Sequence, residues 1–264
     1  MSVVAAEVSK WAVKGVSFEL PPGSVTALVG ANGSGKTTLL NVLAGHLPAE
    51  SGHTSIAGRV AYVPQHKPMY KGFKVKDVLE FGRRMNTVWR GDLADAWLKR
   101  YKVPRRLQIG DLSGGQRTHV TLALALGARP DVLLLDEPLS ELDPLARRKV
   151  MSSLLTEVSD NGMTLLYSTH VVAEIGGVAD RLLLMHNGKL LVDGETDDLL
   201  EEHVLYTGPH ASTPPVEGNV VLAKHGEAQS SFLVRSGGER VDEPWTARYV
   251  TLEELVVAHL ERAV

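Results

Sequence analysis

Eight residues constrain this chain more than any others. Gly30-Ala31-Asn32-Gly33-Ser34-Gly35-Lys36-Thr37 fits the pattern G-x-x-x-x-G-K-[ST]. A β-prone run, Ser24 to Val29, enters the octet. A helix-prone run, Lys36 to Ala44, leaves it, and Gly45 stands where a helix C-cap glycine belongs. Glycines let successive N–H groups turn inward as a nest for anionic oxygens. The helix start adds about half a positive charge. Gly30, Asn32, Gly33, Ser34 and Gly35 therefore read as a cradle for phosphate. Lys36 reads as a point charge for β- and γ-phosphates, the Thr37 hydroxyl as a Mg²⁺ ligand and Thr38 as an α-phosphate contact. The bland alternative, a glycine-rich turn with a surface lysine, does not account for the strand before it and the helix after it.

Length and composition narrow the rest. The chain has 264 residues, enough for one large domain or one domain with an appendage. Apolar residues are 44% and charged residues 22%, so a packed core is expected and wholesale disorder is not. Lys and Arg total 28 against 31 Asp and Glu, a net charge of −3, which argues against a polycation that coats nucleic acid. Aromatics at 5% argue against a base-stacking surface for single strands. Cysteine is absent, which removes disulfides, zinc-thiolate sites and thiol nucleophiles together and fits a reducing cytosol. The start, MSVVAAEVSKWAVKG, lacks the basic opening of a secretory signal, and Glu7 and Lys10 interrupt its apolar stretch. No window approaches the roughly 18 apolar residues of a membrane helix. The expected protein is soluble, or sits on a membrane through a partner.

Strand-like and helix-like segments alternate, which reads as α/β. Val60 to Val63 is a short strand ended by Pro64. Val78 to Tyr101 reads as one amphipathic helix, with Leu79, Phe81, Val88, Leu93, Trp97 and Leu98 turned inward. Val132 to Leu135 is wholly apolar, as in the centre of a parallel sheet. Leu145 to Val158 is helical and Thr164 to Ser168 is the next strand. Arg181 to Met185 and Lys189 to Val192 flank His186-Asn187-Gly188, a hairpin signal. Thr207 to Asn219 is polar and proline-rich, so it reads as a linker between residues 1–206 and a small unit over 220–264. That unit is expected to hold two or three strands around Val220 to Val234 and a helix from Leu252 to Arg262. Thr251 is its N-cap and Glu254 the capping-box partner.

Two further motifs carry chemistry. Leu133-Leu134-Leu135-Asp136-Glu137-Pro138 ends a buried strand with two carboxylates, where ligands collect in parallel sheets. Alone, this is a polar strand exit. Downstream of a phosphate loop, Asp136 reads as a Mg²⁺ residue and Glu137 as the acceptor of a proton from an attacking water. Leu112-Ser113-Gly114-Gly115-Gln116 precedes a helical run over Thr118 to Leu126, a second glycine-rich helix start and so a second candidate phosphate site. Taken alone, it reads as an ordinary N-cap.

In this order, these motifs closely resemble the nucleotide-binding subunit of ABC (ATP-binding cassette) transporters over roughly residues 1 to 205. The resemblance implies a P-loop NTPase core, an antiparallel β subdomain and a helical subdomain carrying the signature Ser113 to Gln116. The small C-terminal α+β appendage completes the expected fold. Gln65 then matches the Q-loop glutamine, a contact to Mg²⁺ and water. Ser140-Glu141-Leu142-Asp143 matches the D-loop, with Asp143 at the nucleotide. His170 matches the switch histidine, which contacts the γ-phosphate and attacking water. The family carries an adenine-stacking aromatic upstream. Glu7 to Lys10 has none, which leaves Trp11 as the candidate, or as a core or edge packing residue.

The resemblance further implies ATP and Mg²⁺ as cofactors. It implies a homodimer, or a pseudo-dimer with a paralogous ATPase subunit, closed around ATP. It implies a separate transmembrane permease, no nucleic acid, and a cytoplasmic position on the inner face of the membrane. The segment between Gln65 and Leu112 is too short for the coiled coil of chromosome-structural ATPases, and only one cassette is present. The short tail looks like that of bacterial export-type subunits, including drug and antibiotic exporters. Lys67, Lys71, Lys74, Lys76, Arg83 and Arg84 form a basic stripe that faces either a permease or solvent. The competing reading is a soluble mechanochemical or regulatory ATPase of the same type without a permease. A module that binds without hydrolysing is disfavoured by Lys36, Gln65, Glu137 and His170 together.

Overall fold

The computed structural model describes residues 2–237 and 240–263. In chain order the elements are β1 (Val3–Lys10), β2 (Val13–Leu20), β3 (Val25–Val29), α1 (Lys36–Leu43), β4 (Ser51–Ile56), β5 (Val60–Val63), α2 (Val75–Met85), α3 (Gly91–Arg100), α4 (Gly114–Gly127), β6 (Val132–Leu135), α5 (Pro144–Asn161), β7 (Thr164–Thr169), β8 (Arg181–His186), β9 (Lys189–Glu195), α6 (Thr196–Glu202), β10 (His203–Pro209), β11 (Asn219–His225), β12 (Gln229–Arg235), β13 (Thr246–Tyr249) and α7 (Leu252–Arg262). A 3-10 turn, Val172–Glu174, follows β7.

The central six-stranded sheet has the order β5-β6-β7-β3-β8-β9. It is parallel except for β9, which returns from β8 through the Asn187-Gly188 turn. Both turn residues have positive φ, 47° and 83°, as the Asn-Gly pair requires. The strands alternate between two buried faces. Leu133, Leu135, Leu165 and Leu182 join α4 and α5 in one core. Leu134, Leu166, Leu183 and Met185 join α1 and the β2-β1-β4 antiparallel sheet in the other. Burial on both faces is why these strands read as continuous apolar runs.

Two sequence expectations need correction. The run expected as one helix over 78–101 is two, α2 and α3. Asn86 leaves the helix with φ −113° and ψ 131°, and its side-chain amide donates to the Gly82 carbonyl at 2.7 Å. Trp89 then packs its ring against Gly82 and Gly127, whose missing side chains leave room for it. Leu79, Trp97 and Leu98 are buried as expected, Val88 and Leu93 half-buried, and Phe81 is 57% exposed.

The second correction concerns the tail. The stretch expected as a linker from 207 begins inside β10, which starts at His203 and pairs with both β12 and β13. Val204 and Tyr206 point inward from it, a period-2 signal overridden by the proline and glycine that follow. The appendage sheet has the order β11-β12-β10-β13: β11 and β12 lie where two or three strands were expected, and β10 and β13, outside 220–234, complete the sheet. Its helix α7 shares the main core, where Leu255 and Val256 cluster with Ile175 and Leu199.

Candidate functional site

Strand order builds the site. β5, β6, β7 and β3 are neighbours, and their carboxyl ends lead into Gln65, Asp136-Glu137, His170 and the glycine-rich loop respectively. Residues far apart in sequence thus meet along one edge of one sheet. Beside them lies an open cleft of about 340 Å³, lined by Asn32, Gly33, Lys36, Thr37, Gln65 and Glu137 among others.

The loop takes its shape from Gly33 (φ 82°) and Gly35 (φ 106°), conformations that a side chain opposes. Gly35 is the N-cap of α1, so the first N–H groups of that helix have no side-chain acceptor. Lys36 folds back on its own loop, its Nζ donating to the carbonyls of Gly30 at 2.6 Å and Ala31 at 3.2 Å. Its pKa lies below the ordinary lysine value because burial outweighs the Glu137 and Asp136 carboxylates beside it.

Glu137 is the meeting point. Lys36 Nζ lies 3.8 Å from Oε1, His170 Nδ1 lies 3.3 Å from Oε1, and Gln65 Nε2 donates to Oε2 at 3.3 Å. Its side chain is only 9% exposed, whereas that of His170 is 48% exposed. Glu137 also has φ 42°, uncommon for a residue other than glycine. The Glu137 N–H donates to Ser168 Oγ at 2.9 Å, and that hydroxyl donates to Asp136 Oδ1 at 2.7 Å. Asp136 Oδ2 is buried with no hydrogen-bond partner among the described residues. An orphaned carboxylate oxygen at this strand end fits a metal or a metal-bound water.

The motif pattern does not single out Ser168, although a serine next to last in the apolar strand β7, two residues before His170, is a usable signal. Tyr62 was also missed. Its hydroxyl accepts from Asn41 Nδ2 at 3.2 Å, and its pKa is raised by burial and by the Asp136 charge.

The remaining candidates lie elsewhere. Trp11 is 67% exposed with φ 47° in the β1–β2 turn, so it is not a core residue, and its neighbour Ala12 lines the cleft. Ser113, Gly114, Gly115, Gln116 and Asp143 do not line the cleft of this chain. Ser113 and Gln116 form the capping box of α4, and Asp143 Oδ1 accepts from the Ala146 N–H at 2.9 Å as the N-cap of α5. A Cβ on Gly114 would stand 2.6 Å from Glu141 Oε2, so Ser140 to Asp143 pack against the glycine-rich start of α4. Among the described residues, no helix is long and apolar enough to cross a membrane.

The sequence pattern of the ABC transporter family matches residues 13–140. The Nod factor export ATP-binding protein I of Burkholderia lata is 34% identical, over 85% of this chain and 80% of that protein. The molybdenum import ATP-binding protein ModC of Rhizobium meliloti is 31% identical, over 81% of this chain and 66% of that protein. In fold, the chain is similar to a solved ATP-binding subunit of an ABC transporter, with a TM-score of 0.69 and 24% identity over 75% of this chain and 92% of that one. The site motifs, the fold and these likenesses agree: the chain belongs to the family of ABC transporter ATP-binding subunits.

Proposed function

We propose that the chain hydrolyses ATP at a site completed by a second copy or a paralogous subunit, and so drives export through a separate permease at the inner face of the membrane. The observation that carries this reading is the convergence of Lys36, Gln65 and His170 on the Glu137 carboxylate. Water attacks the γ-phosphorus, the bond to the bridging oxygen breaks and ADP leaves. Glu137 takes the water proton at its carboxylate, and His170 holds the water and γ-phosphate. Lys36 leaves the Gly30 carbonyl for the phosphate oxygens. The backbone of Gly30 to Gly35 and the Thr38 hydroxyl hold the remaining oxygens. Thr37, Gln65 and Asp136 would hold Mg²⁺, which when bound supplies charge neutralisation at the phosphates. Exposed Trp11, next in sequence to Ala12 of the cleft, supplies a stacking face for adenine.

Ser113, Gly114, Gly115, Gln116 and Asp143 lie away from the cleft of their own chain, which supports their use by a partner's nucleotide. Export, of the drug and antibiotic type, is supported by the likeness to an export ATP-binding protein over 85% of this chain. The test is analytical ultracentrifugation with ATP in a Glu137→Gln background, where turnover is suppressed. Adding Ser113→Arg is expected to abolish the ATP-dependent dimer while the monomer stays folded by circular dichroism. A Ser113→Arg chain that dimerises as well as its parent would overturn the shared site.

A further inference from the structure

The segment after β6 and the segment carrying His170 are tied together by one side-chain chain. Arg147, in the first turn of α5, donates from Nε to the Leu142 carbonyl at 2.8 Å and from Nη2 to the Ser140 carbonyl at 3.3 Å. Its Nη1 donates to Glu174 Oε1 at 2.8 Å. The other oxygen of Glu174 accepts from the Thr169 hydroxyl at 2.8 Å, and that hydroxyl oxygen accepts from the Val171 N–H at 3.0 Å. His170 is thus bracketed on both sides by residues anchored to Glu174. The Arg147 and Glu174 side chains are only 26% and 20% exposed, so the pair is shielded from the solvent that weakens surface ion pairs. A planar guanidinium with donors in fixed directions holds all three acceptors as one unit, which a lysine ammonium cannot do.

We propose that Arg147, Glu174 and Thr169 are positioning residues that transmit the placement of Ser140 to Asp143 to His170, and through it to Glu137. The argument rests on the shared-site reading above. In that reading, Ser140 to Asp143 meet the second subunit, so docking moves the two carbonyls that Arg147 holds. The guanidinium carries Glu174 with it, and Thr169 and Val171 set the angle at which His170 approaches Glu137, now 3.3 Å away. Closure of the dimer would thereby align the proton-accepting carboxylate and the histidine in the same step. None of the three residues lines the nucleotide cleft, so the coupling acts on turnover and leaves binding alone.

Glu174→Gln removes the ion pair at constant size. Thr169→Val removes the hydroxyl at constant shape, and Thr169→Ser restores it. In the full chain, Glu174→Gln and Thr169→Val are expected to lower kcat about tenfold, within the range for coupled neighbours, with ATP affinity unchanged. A dimer that shares its sites is expected to give the parent a sigmoidal dependence of rate on ATP; in both variants that curve is expected to become hyperbolic, and Thr169→Ser to regain both rate and sigmoidicity. A merely structural role would lower melting temperature and affinity together and leave the shape of the curve alone. Parental kcat and cooperativity in Glu174→Gln and Thr169→Val, while the Glu137→Gln chain still forms its ATP dimer, overturn the strut alone. A Glu137→Gln chain that stays monomeric with ATP overturns the shared site and the coupling with it.

Discussion

At the residue scale, two adjacent carboxylates have different surroundings. Asp136 is 1% exposed and accepts from Ser168 with one oxygen, while the other has no hydrogen-bond partner among the described residues. Glu137 faces a lysine, a histidine and an amide. Glu137→Gln keeps the shape and removes the basicity, so phosphate release is expected to fall roughly 10²–10⁴-fold with ATP affinity little changed. Asp136→Asn is expected to lose Mg²⁺-dependent ATP affinity as well as rate. Near-parental phosphate release by Glu137→Gln would remove Glu137 as the base. The types and spacing of these residues were legible in the sequence because loop chemistry is local. Ser168 and Arg147 were not, since their partners lie across the sheet and across a turn.

At the element scale, local signals succeeded where a cap or a turn residue dictates the outcome. Thr251 accepts from the Glu254 N–H while Glu254 accepts from the Thr251 N–H, and α7 runs over the expected Leu252 to Arg262. Thr251→Ala is expected to cost about 1 kcal/mol and to lower the melting temperature by about 2–4 °C at this size. Calorimetry checks it, and an unchanged midpoint would mean that the bridge from Arg248 to Glu254 alone fixes the helix start. The break between α2 and α3 was not legible. Helical periodicity continues through residues 86–90, and the Asn86 amide on the Gly82 carbonyl together with Trp89, docked on glycines of α2 and α4, turns the chain there.

At the scale of the molecule, histidines occupy its seams. His119 on α4 stacks on Tyr101, with ring centroids 3.9 Å apart, and the Tyr101 hydroxyl donates to Ser153 on α5. His203 and His259 meet at 3.4 Å between the appendage sheet and α7. Burial lowers the pKa of all three, and His119 and His259 fall to about 4; for His259, the neighbouring His203, Arg262 and Arg235 contribute to that shift after burial. A pKa depressed on folding means that the unfolded chain binds more protons. Stability is then full above the ordinary histidine value of 6.5 and is lost as the pH falls from there towards about 4. His119 and His259 are each expected to cost about 1 kcal/mol over the first pH unit below the unfolded value. His119→Phe keeps the ring stack and removes one titration, so its melting temperature should fall less steeply with acid than the parent's. Parallel curves would show that His119 does not contribute.

The sequence by itself determined the residue types of the candidate site and the alternation of strand and helix. A glycine-rich loop opening a helix, a doubly acidic strand end and a histidine at a strand end are each written in a few consecutive residues, whose backbone and side chains act locally. The order β5-β6-β7-β3 was decided by tertiary structure alone, because it depends on which apolar faces bury against α1, α4 and α5 at once. That order brings Gln65 and His170 each within hydrogen-bond reach of Glu137. Tertiary structure also decided that β10 belongs to the appendage sheet and that α7 seals the main core. Strand pairing and shared burial join residues far apart in the chain, and no local pattern encodes them.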